Sequence, residues 1–256
     1  MSAHRPNTPN LVWLSQTDDF PPVDAAWGPN SPAPGLLAAG GSLDVTALIR
    51  AYCRGIFPWF SDGQPVLWWS TDPRMVLQVK HFRLHRSLKK TIRQWRQTQR
   101  LEIRINHDFA RVIQACASTP RDGQKGTWIT APMVDAYTRL HHAQLAHSVE
   151  TWLDGELAGG LYVVNLGGMV YGESMFAWKT DASKVALAAL VAFCRAHGIG
   201  LIDCQQETSH LATMGAAPIA RQRFVHYLPE VLGLPAPNWQ FNPLYWTFID
   251  PLSDAR

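Results

Sequence analysis

The chain has 256 residues, of which 46% are hydrophobic and 17% charged, and its formal net charge is +3. This length suits one large domain or two modest ones, and the apolar fraction is too high for intrinsic disorder. No apolar run predicts a membrane span, and the first residues do not predict a signal peptide. The four widely spaced cysteines predict neither a disulfide framework nor a zinc module, so we expect a reduced, cytoplasmic protein.

Clusters of proline and glycine dominate the first eighty residues and predict loops with little regular structure. One short helix is expected over residues 44–54, with Ser42 or Asp44 as its cap and Gly55 as its stop. An aromatic band follows at residues 57–69. Such a band is either the core of a small proline-rich module or a surface on which nucleobases stack.

Positive charge is concentrated in residues 80–104, which contain nine lysine and arginine residues against one glutamate. Residues 86–99 predict a helix, because Leu88, Ile92 and Trp95 would form one narrow apolar stripe. The remaining faces of this helix are basic and lack acidic partners one turn away. The run is therefore either an ordinary solvated face or a surface that binds phosphates.

The second half of the chain has an α+β pattern. It predicts two strands joined by a hairpin at Asp154-Gly155, a third strand, a helix that is apolar almost all round, and a final short strand. The predicted ranges are 148–153, 157–165, 169–176, 183–197 and 200–205. A meander followed by a buried helix and a further strand indicates an α+β sheet of the acyltransferase type.

Three polar residues lie within predicted apolar strands. Glu173 is in the third strand, and Asp203 and Gln205 are two apart in the last one. Alternate side chains of a strand share a face, so Asp203 and Gln205 are expected to point the same way. Because polar groups inside an apolar strand need partners, the pair is either a structural hydrogen bond or part of an active site.

Other common catalytic patterns are missing from the sequence. It has no Gly-x-Ser-x-Gly elbow, no P-loop and no Gly-x-Gly-x-x-Gly run for nucleotide phosphates. His141, His142 and His147 lack an acidic partner at ligand spacing, so no metal site is predicted. The entry to the buried helix at residues 180–183 lacks the glycine-rich turn of acyl-CoA enzymes, which argues against acetyl-CoA.

A series of motifs between Gly35 and Leu228 resembles the leucyl/phenylalanyl-tRNA–protein transferases. The motifs include GLLAAGGSL from Gly35, AYCRGIFPW from Ala51, GTWIT from Gly126, GESMF from Gly172 and LIDCQ from Leu201. The resemblance implies a small loop-rich N-terminal domain, residues 1–73, followed by a GNAT-like aminoacyltransferase domain, residues 74–256.

The resemblance implies transfer of leucine or phenylalanine, and less readily methionine, from aminoacyl-tRNA to the N-terminal arginine or lysine of acceptor proteins. That reaction marks the acceptor for N-degron-dependent degradation in a bacterial cytoplasm. It is aminolysis of an activated ester, so no cofactor or metal is expected. The implied partners are Leu-tRNA, Phe-tRNA and the acceptor protein, and we expect a monomer that does not bind membranes. Two other interpretations stay open: a non-catalytic RNA-binding protein and an acyl-CoA-dependent N-acyltransferase.

The resemblance also implies roles for individual residues. Three would act at the acceptor amine: Glu173, Asp203 and Gln205. Four aromatic residues would surround the terminal adenosine and the aminoacyl end: Tyr52, Trp59, Trp128 and Tyr137. Four apolar residues would form the pocket for the transferred side chain: Leu161, Met175, Leu190 and Ile202. Four basic residues would bind the tRNA acceptor stem: Arg86, Lys89, Lys90 and Arg93.

The expected chemistry needs only modest base assistance, because the α-amine of a protein has a pKa near ~8. Asp203 is expected to orient the side-chain amide of Gln205 and to stabilise the positive charge that develops on the attacking nitrogen. A proton relay through a ribose hydroxyl of the tRNA is the competing account.

Overall fold

The computed structural model describes residues 10–119 and 129–250. The strands are β1 (Val12–Leu14), β2 (Leu36–Gly40), β3 (Phe57–Pro58), β4 (Leu67–Trp69), β5 (Arg74–Gln78), β6 (Leu101–Ile105), β7 (Ala146–Leu153), β8 (Glu156–Leu166), β9 (Met169–Ala177), β10 (Leu201–Gln205) and β11 (Ala217–Ile219). The helices are α1 (Val45–Cys53), α2 (Arg86–Gln97), α3 (Phe109–Ser118), α4 (Ala131–His142), α5 (Ala182–Ala196), α6 (Ser209–Thr213) and α7 (Arg221–Leu232). None of these helices has the length and hydrophobicity needed to cross a membrane.

The N-terminal part forms a sheet with the strand order β1-β2-β4-β3. The prediction that the first eighty residues have little regular structure is therefore wrong. These strands are two to five residues long, which is too short for an alternating pattern to appear in the sequence. The predicted helix in this part is confirmed as α1, and the carboxylate of Asp44 caps it by accepting a hydrogen bond from the backbone amide of Ala47.

The C-terminal part forms a seven-stranded sheet with the order β11-β5-β10-β9-β8-β7-β6. All neighbouring pairs are antiparallel except β9 and β10, which are parallel. The α+β prediction is confirmed, as are the three-stranded meander and the buried helix α5. Asp154 and Gly155 both have positive φ, 54° and 80°, as a tight two-residue hairpin turn requires.

The sheet opens between its two parallel strands. β9 and β10 pair at only two positions, Ile202 with Val170 and Asp203 with Tyr171. Beyond that point β9 continues to Ala177 alongside β8, whereas β10 ends at Gln205. The two strands therefore pair over only part of their length, and we call the place in the middle of the sheet where this pairing ends the wedge.

Different elements cover the two faces of this sheet. On one face α1, α3 and α4 share a core with the N-terminal sheet, and this core contains the buried residues Tyr52, Tyr137 and Tyr171. On the other face α5 packs over the strands and forms a second core with Leu190 and Ile202. The N-terminal part is thus joined to one face of the larger sheet by a continuous core.

Candidate active site

The carboxyl group of Glu173 lies at the wedge and contacts three polar side chains. Oε1 accepts hydrogen bonds from the hydroxyl of Tyr52, at 2.7 Å, and from the amide Nε2 of Gln205, at 3.0 Å. Oε2 accepts one from the hydroxyl of Tyr137 at 2.9 Å. α1, α4 and β10 each supply one of these partners, so the carboxyl group is held at the junction of three separate elements.

The hydroxyls of Tyr52 and Tyr137 also contact each other, which closes a ring of three groups. Two tyrosine hydroxyls carry two protons, whereas the ring has three contacts. A third proton, on Glu173, would give every contact a donor. The ring can therefore hold a proton on the Glu173 carboxyl group in addition to those on the two hydroxyls, whereas an exposed glutamate is ionised at neutral pH.

The pKa of Glu173 agrees with this proton count. Enclosure away from water is the largest effect and raises the pKa of Glu173 to about 7, although the hydrogen bonds from Tyr52 and Tyr137 lower it. Burial, and then the neighbouring Glu173 carboxylate, raise the pKa of both tyrosines well above the usual value for tyrosine. Near neutral pH the ring thus contains one group that can gain or lose a proton, and two hydroxyls that stay neutral.

The side-chain amide of Gln205 donates to Glu173 and not to Asp203, and the role expected of Asp203 in orienting that amide stays a prediction. Both oxygens of Asp203 bind the guanidinium of Arg74, at 2.8 and 2.6 Å. Asp203 also accepts a hydrogen bond from the backbone amide of Gln205, at 2.9 Å.

Asp203 and Gln205 share a face of the sheet, as expected. The partners of both side chains contact the core that contains Tyr52 and Tyr137, whereas Ile202 and Cys204 pack in the other core. The strand register shifts between Asp203 and Gln205, and Gln205 has a φ of +61°.

No group of three or more potential metal ligands of the His, Cys, Asp or Glu type occurs among residues 10–119 and 129–250. The polar groups at the wedge are one carboxyl, two phenols and one amide. Such a set can accept, hold and return a proton and can donate hydrogen bonds.

The sequence profile of leucyl/phenylalanyl-tRNA protein transferases matches residues 76–229, and the profile of their N-terminal domain matches residues 41–72. The leucyl/phenylalanyl-tRNA–protein transferase of Polaromonas sp. (strain JS666 / ATCC BAA-500) is 61% identical over 239 residues, which cover 93% of this chain and 94% of that protein. The chain belongs to this family. A second transferase of the family, from Leptothrix cholodnii, is 61% identical over 240 residues, which cover 92% of this chain and 94% of that protein.

Among solved structures the chain is similar to that of FemX, with a TM-score of 0.41 and 11% sequence identity. The similarity covers 71% of this chain and 70% of FemX.

Three of the four aromatic residues expected at the aminoacyl end of the transferase's donor belong to one apolar cluster, in which Tyr52 and Tyr137 are buried and against which Trp59 packs. Tyr52 and Tyr137 contact Glu173 directly. Trp59 lies in the N-terminal part, where its ring packs against Trp69 at 5.2 Å. Trp128 lies outside the described residues.

The four residues expected to form the transferase's side-chain pocket belong to one apolar cluster, on the α5 face of the sheet. Leu161, Leu190 and Ile202 are fully enclosed in that core. Met175 is the one of the four that is partly exposed. Leu161 and Met175 are direct neighbours across β8 and β9. The structure thus brings all four together, with Met175 at the surface of the cluster.

The four basic residues lie together on α2, along one shallow groove. Two of them have an acidic partner that the local sequence did not reveal. The carboxylate of Asp250 is 2.9 Å from Nζ of Lys89 and accepts two hydrogen bonds from Arg93, at 2.8 and 2.9 Å. Arg86 and Lys90 are both exposed.

Sequence reasoning missed Arg74, which is wholly buried beneath the site. One signal pointed to such a residue: an aspartate inside the apolar strand β10 needs a cationic or hydrogen-bonding partner. Nothing in the sequence says which of 23 lysine and arginine residues supplies it. Arg74 comes directly before the apolar run Met75–Leu77, which places it at the start of β5, next to β10.

Proposed function

We propose that this protein transfers leucine or phenylalanine, and less readily methionine, from aminoacyl-tRNA to the N-terminal arginine or lysine of acceptor proteins. The product is an acceptor marked for N-degron-dependent degradation, and the reaction takes place in the cytoplasm. The observation that carries the proposal is the Glu173 carboxyl group, which has a pKa of about 7 and is enclosed by Tyr52, Tyr137 and Gln205 at the wedge. Membership of the transferase family supplies the substrates.

In the proposed mechanism, Glu173 is the general base. The neutral α-amine of the acceptor attacks the ester carbon, a carbon–nitrogen bond forms, and the bond from that carbon to the ribose oxygen breaks. Glu173 accepts the proton that the nitrogen loses and returns it to the departing ribose oxygen. A base with a pKa near the working pH suits this double role, because it both gains and releases a proton readily.

The neighbours of Glu173 have supporting roles in this mechanism. Tyr52 and Tyr137 stay protonated, so they donate hydrogen bonds that stabilise the carboxylate before attack. Gln205 donates its Nε2 to Glu173, which leaves its amide oxygen to accept a hydrogen bond from the attacking amine. Much of the rate enhancement then comes from alignment, as is usual when two substrates are held together.

The proposed division of the chain places the N-terminal domain at residues 1–73 and a GNAT-like transferase domain at residues 74–256. β4 ends at Trp69 and β5, the first strand of the larger sheet, begins at Arg74, which supports this boundary. Tyr52 belongs to the first part and Glu173 to the second, so the proposed catalytic ring needs both parts of the chain.

The direct test mixes radiolabelled Leu-tRNA with a peptide that begins with arginine. Transfer of label to the peptide, and none to the same peptide with an acetylated N-terminus, is the expected result. Binding of the tRNA without transfer would identify a non-catalytic RNA-binding protein. Transfer of an acyl group from acyl-CoA alone would identify an acyl-CoA-dependent N-acyltransferase.

A second assay separates Glu173 from the ribose hydroxyl as the group that moves the proton. The donor carries its aminoacyl group on a terminal 2′-deoxyadenosine. If Glu173 is the base, this donor keeps most of its activity in the wild-type protein and loses it in Glu173→Gln. Loss of transfer from the deoxy donor in the wild-type protein, with little effect of Glu173→Gln, would favour the ribose relay.

A further inference from the structure

Arg74 and Asp203 form an ion pair from which water is excluded. Both side chains have an exposed fraction of 0%, and the guanidinium binds both carboxylate oxygens. The cost of removing two charges from water offsets most of their attraction, so such a pair contributes little net stability. A pair of this kind does, however, fix the relative positions of the two residues that form it.

Three separate elements hold Arg74 in a single orientation. Its Nη1 donates a hydrogen bond to the carbonyl of Gly55, at 3.0 Å, in the turn that follows α1. The guanidinium lies between the rings of Phe57 and Phe224, 4.7 Å from the centre of each. The planar guanidinium group is thus held by aromatic rings on both faces and by hydrogen bonds along its edge. The ammonium group of a lysine is not planar and cannot reproduce this arrangement.

The backbone of Gln205 is held at both of its polar groups. Its amide N–H donates to Oδ1 of Asp203 at 2.9 Å, and its carbonyl accepts a hydrogen bond from the hydroxyl of Thr71, also at 2.9 Å. Gln205 has a left-handed backbone conformation, with φ of +61°. A non-glycine residue adopts this conformation only at a cost in free energy, so surrounding contacts must maintain it.

We propose that Arg74 is a positioning residue for Gln205. Arg74 fixes Asp203, Asp203 holds the backbone of Gln205 in the left-handed conformation, and that conformation aims the side-chain amide at Glu173. Without the pair, the backbone amide of Gln205 would lose the fixed acceptor that maintains its left-handed conformation, and the side-chain amide would leave Oε1 of Glu173. The role of Arg74 in transfer rests on the function proposed above.

A double-mutant cycle between Arg74→Lys and Gln205→Ala tests this proposal, with transfer of leucine to an arginine peptide as the readout. Arg74→Lys is expected to lower kcat about tenfold or more, and to leave KM for Leu-tRNA within about twofold. In the Gln205→Ala background the same substitution should change kcat by less than about twofold, because the residue through which Arg74 acts is already gone. Arg100→Lys is the matched control, since Arg100 forms a bidentate pair with Asp154 at the exposed hairpin.

The cycle is run in parallel with Asp203→Asn, which keeps the side-chain volume, in case Arg74→Lys does not fold. If the loss of kcat in the double variant equals the product of the losses in the two single variants, the proposal is overturned. Arg74→Lys would then act on kcat independently of Gln205, as general destabilisation does. Normal kcat in a folded Arg74→Lys or Asp203→Asn protein, or in Gln205→Ala, would also overturn it.

A second readout does not depend on transfer. The side-chain amide signal of Gln205 in a ¹⁵N–¹H spectrum is identified by its absence in Gln205→Ala. It should move toward the position of a solvated glutamine in Arg74→Lys and in Asp203→Asn. If the wild-type protein shows no transfer and this signal moves, the proposed function fails and the positioning role stands. An unchanged signal in the folded variants would overturn the positioning role.

Discussion

Gln205 donates a hydrogen bond from its side-chain amide to Oε1 of Glu173, at 3.0 Å, and this bond crosses the point where β9 and β10 separate. Backbone pairing between the two strands has already ended there, so a side-chain hydrogen bond connects the strands in place of backbone hydrogen bonds. The proposed base on β9 is thereby tied to β10. We infer that the contact keeps the carboxyl group at a fixed place where the two strands separate.

The first prediction concerns Glu173→Gln. We expect transfer to fall by a factor of about 10²–10⁴, the usual contribution of a positioned general base. In the wild-type protein the rate should fall as the pH drops below about 7, because protonation removes the base. The variant should keep the limb near pH ~8 that protonation of the acceptor α-amine imposes on both proteins, and it should lack the additional fall below about pH 7. The same additional fall in both proteins would assign that titration to another group.

The second prediction concerns the stability of the same variant. The pKa of Glu173 in the folded protein, about 7, lies above the ordinary value of 4.5, so the folded state holds the proton more tightly than the unfolded state. Wild-type stability should therefore fall as the pH rises from about 4.5 through about 7, by up to roughly 3 kcal/mol. Glu173→Gln should be the more stable protein at pH 8 and should match the wild type at pH 4. Denaturant unfolding at both pH values measures this difference.

The third prediction concerns Tyr52→Phe. The hydroxyl that this change removes stabilises the Glu173 carboxylate at 2.7 Å, so the pKa of Glu173 should rise and the acid limb of the pH–rate profile should move to higher pH. A hydrogen bond to a charged group contributes about 1.5–3 kcal/mol, so activity at pH 7 should fall about tenfold or more. Tyr137→Phe should act in the same direction, and Tyr227→Phe on α7 serves as the control. A limb that moves to lower pH would contradict the proposed donors.

The elements that the sequence predicted correctly are those with strong local signals. Asp44 and Gly55 flank α1 at the expected cap and stop positions, Asp154-Gly155 forms the hairpin, and the all-apolar helix is α5. The N-terminal sheet escaped prediction because strands such as Phe57–Pro58 are defined by their pairing with distant residues and show no pattern of their own.

At the candidate site, too, residues with a local signal were predicted and contacts between distant residues were not. Glu173 stood out as a carboxylate in an apolar strand, but Tyr52 is 121 residues away from it in the chain, and only the family resemblance linked the two. The alternation rule correctly placed Gln205 on the face of Asp203, but it did not reveal the register shift or the positive φ at Gln205. Arg74 had no local signal at all, since its partner Asp203 is 129 residues further along.

The fourth prediction concerns the basic surface of α2. Arg86→Ala and Lys90→Ala should each weaken tRNA binding and reduce the log–log salt slope by roughly one unit for each phosphate that the protein no longer neutralises. Neither change should alter thermal stability much, because both side chains are exposed. Unchanged affinity and salt slope would make this an ordinary solvated face.

Lys89 and Arg93 should behave differently from those two residues, because both already bind Asp250. Arg93→Ala leaves the buried Asp250 carboxylate with fewer partners, so we expect unfolding free energy to fall by about 1–3 kcal/mol. Asp250→Asn should instead free both cations and strengthen tRNA binding at low salt. Equal stability of Arg93→Ala and Lys90→Ala would show that the contact with Asp250 contributes nothing measurable.

The last prediction concerns how the donor side chain is selected, and it rests on the limits of an apolar pocket. One methylene is worth only about 1–3 kcal/mol to such a pocket, which therefore selects mainly by shape. Leu, Phe and Met are unbranched at Cβ, whereas Ile and Val carry a methyl group there that would strike the pocket entrance. We expect graded use of the first three, near exclusion of the other two, and no dependence on the anticodon.

Two residues of the proposed pocket should separate selection from stability. Ile202 is enclosed in the core under α5, so Ile202→Ala should cost about 2–5 kcal/mol of stability and also raise the use of bulky side chains relative to Leu. Met175 is partly exposed at the edge of the same cluster, so Met175→Ala should shift donor preference at a smaller cost in stability. Competition between Leu-tRNA and Ile-tRNA at equal concentration measures the preference directly. Comparable transfer of both by the wild-type protein would mean that the tRNA body, and not this pocket, selects the donor.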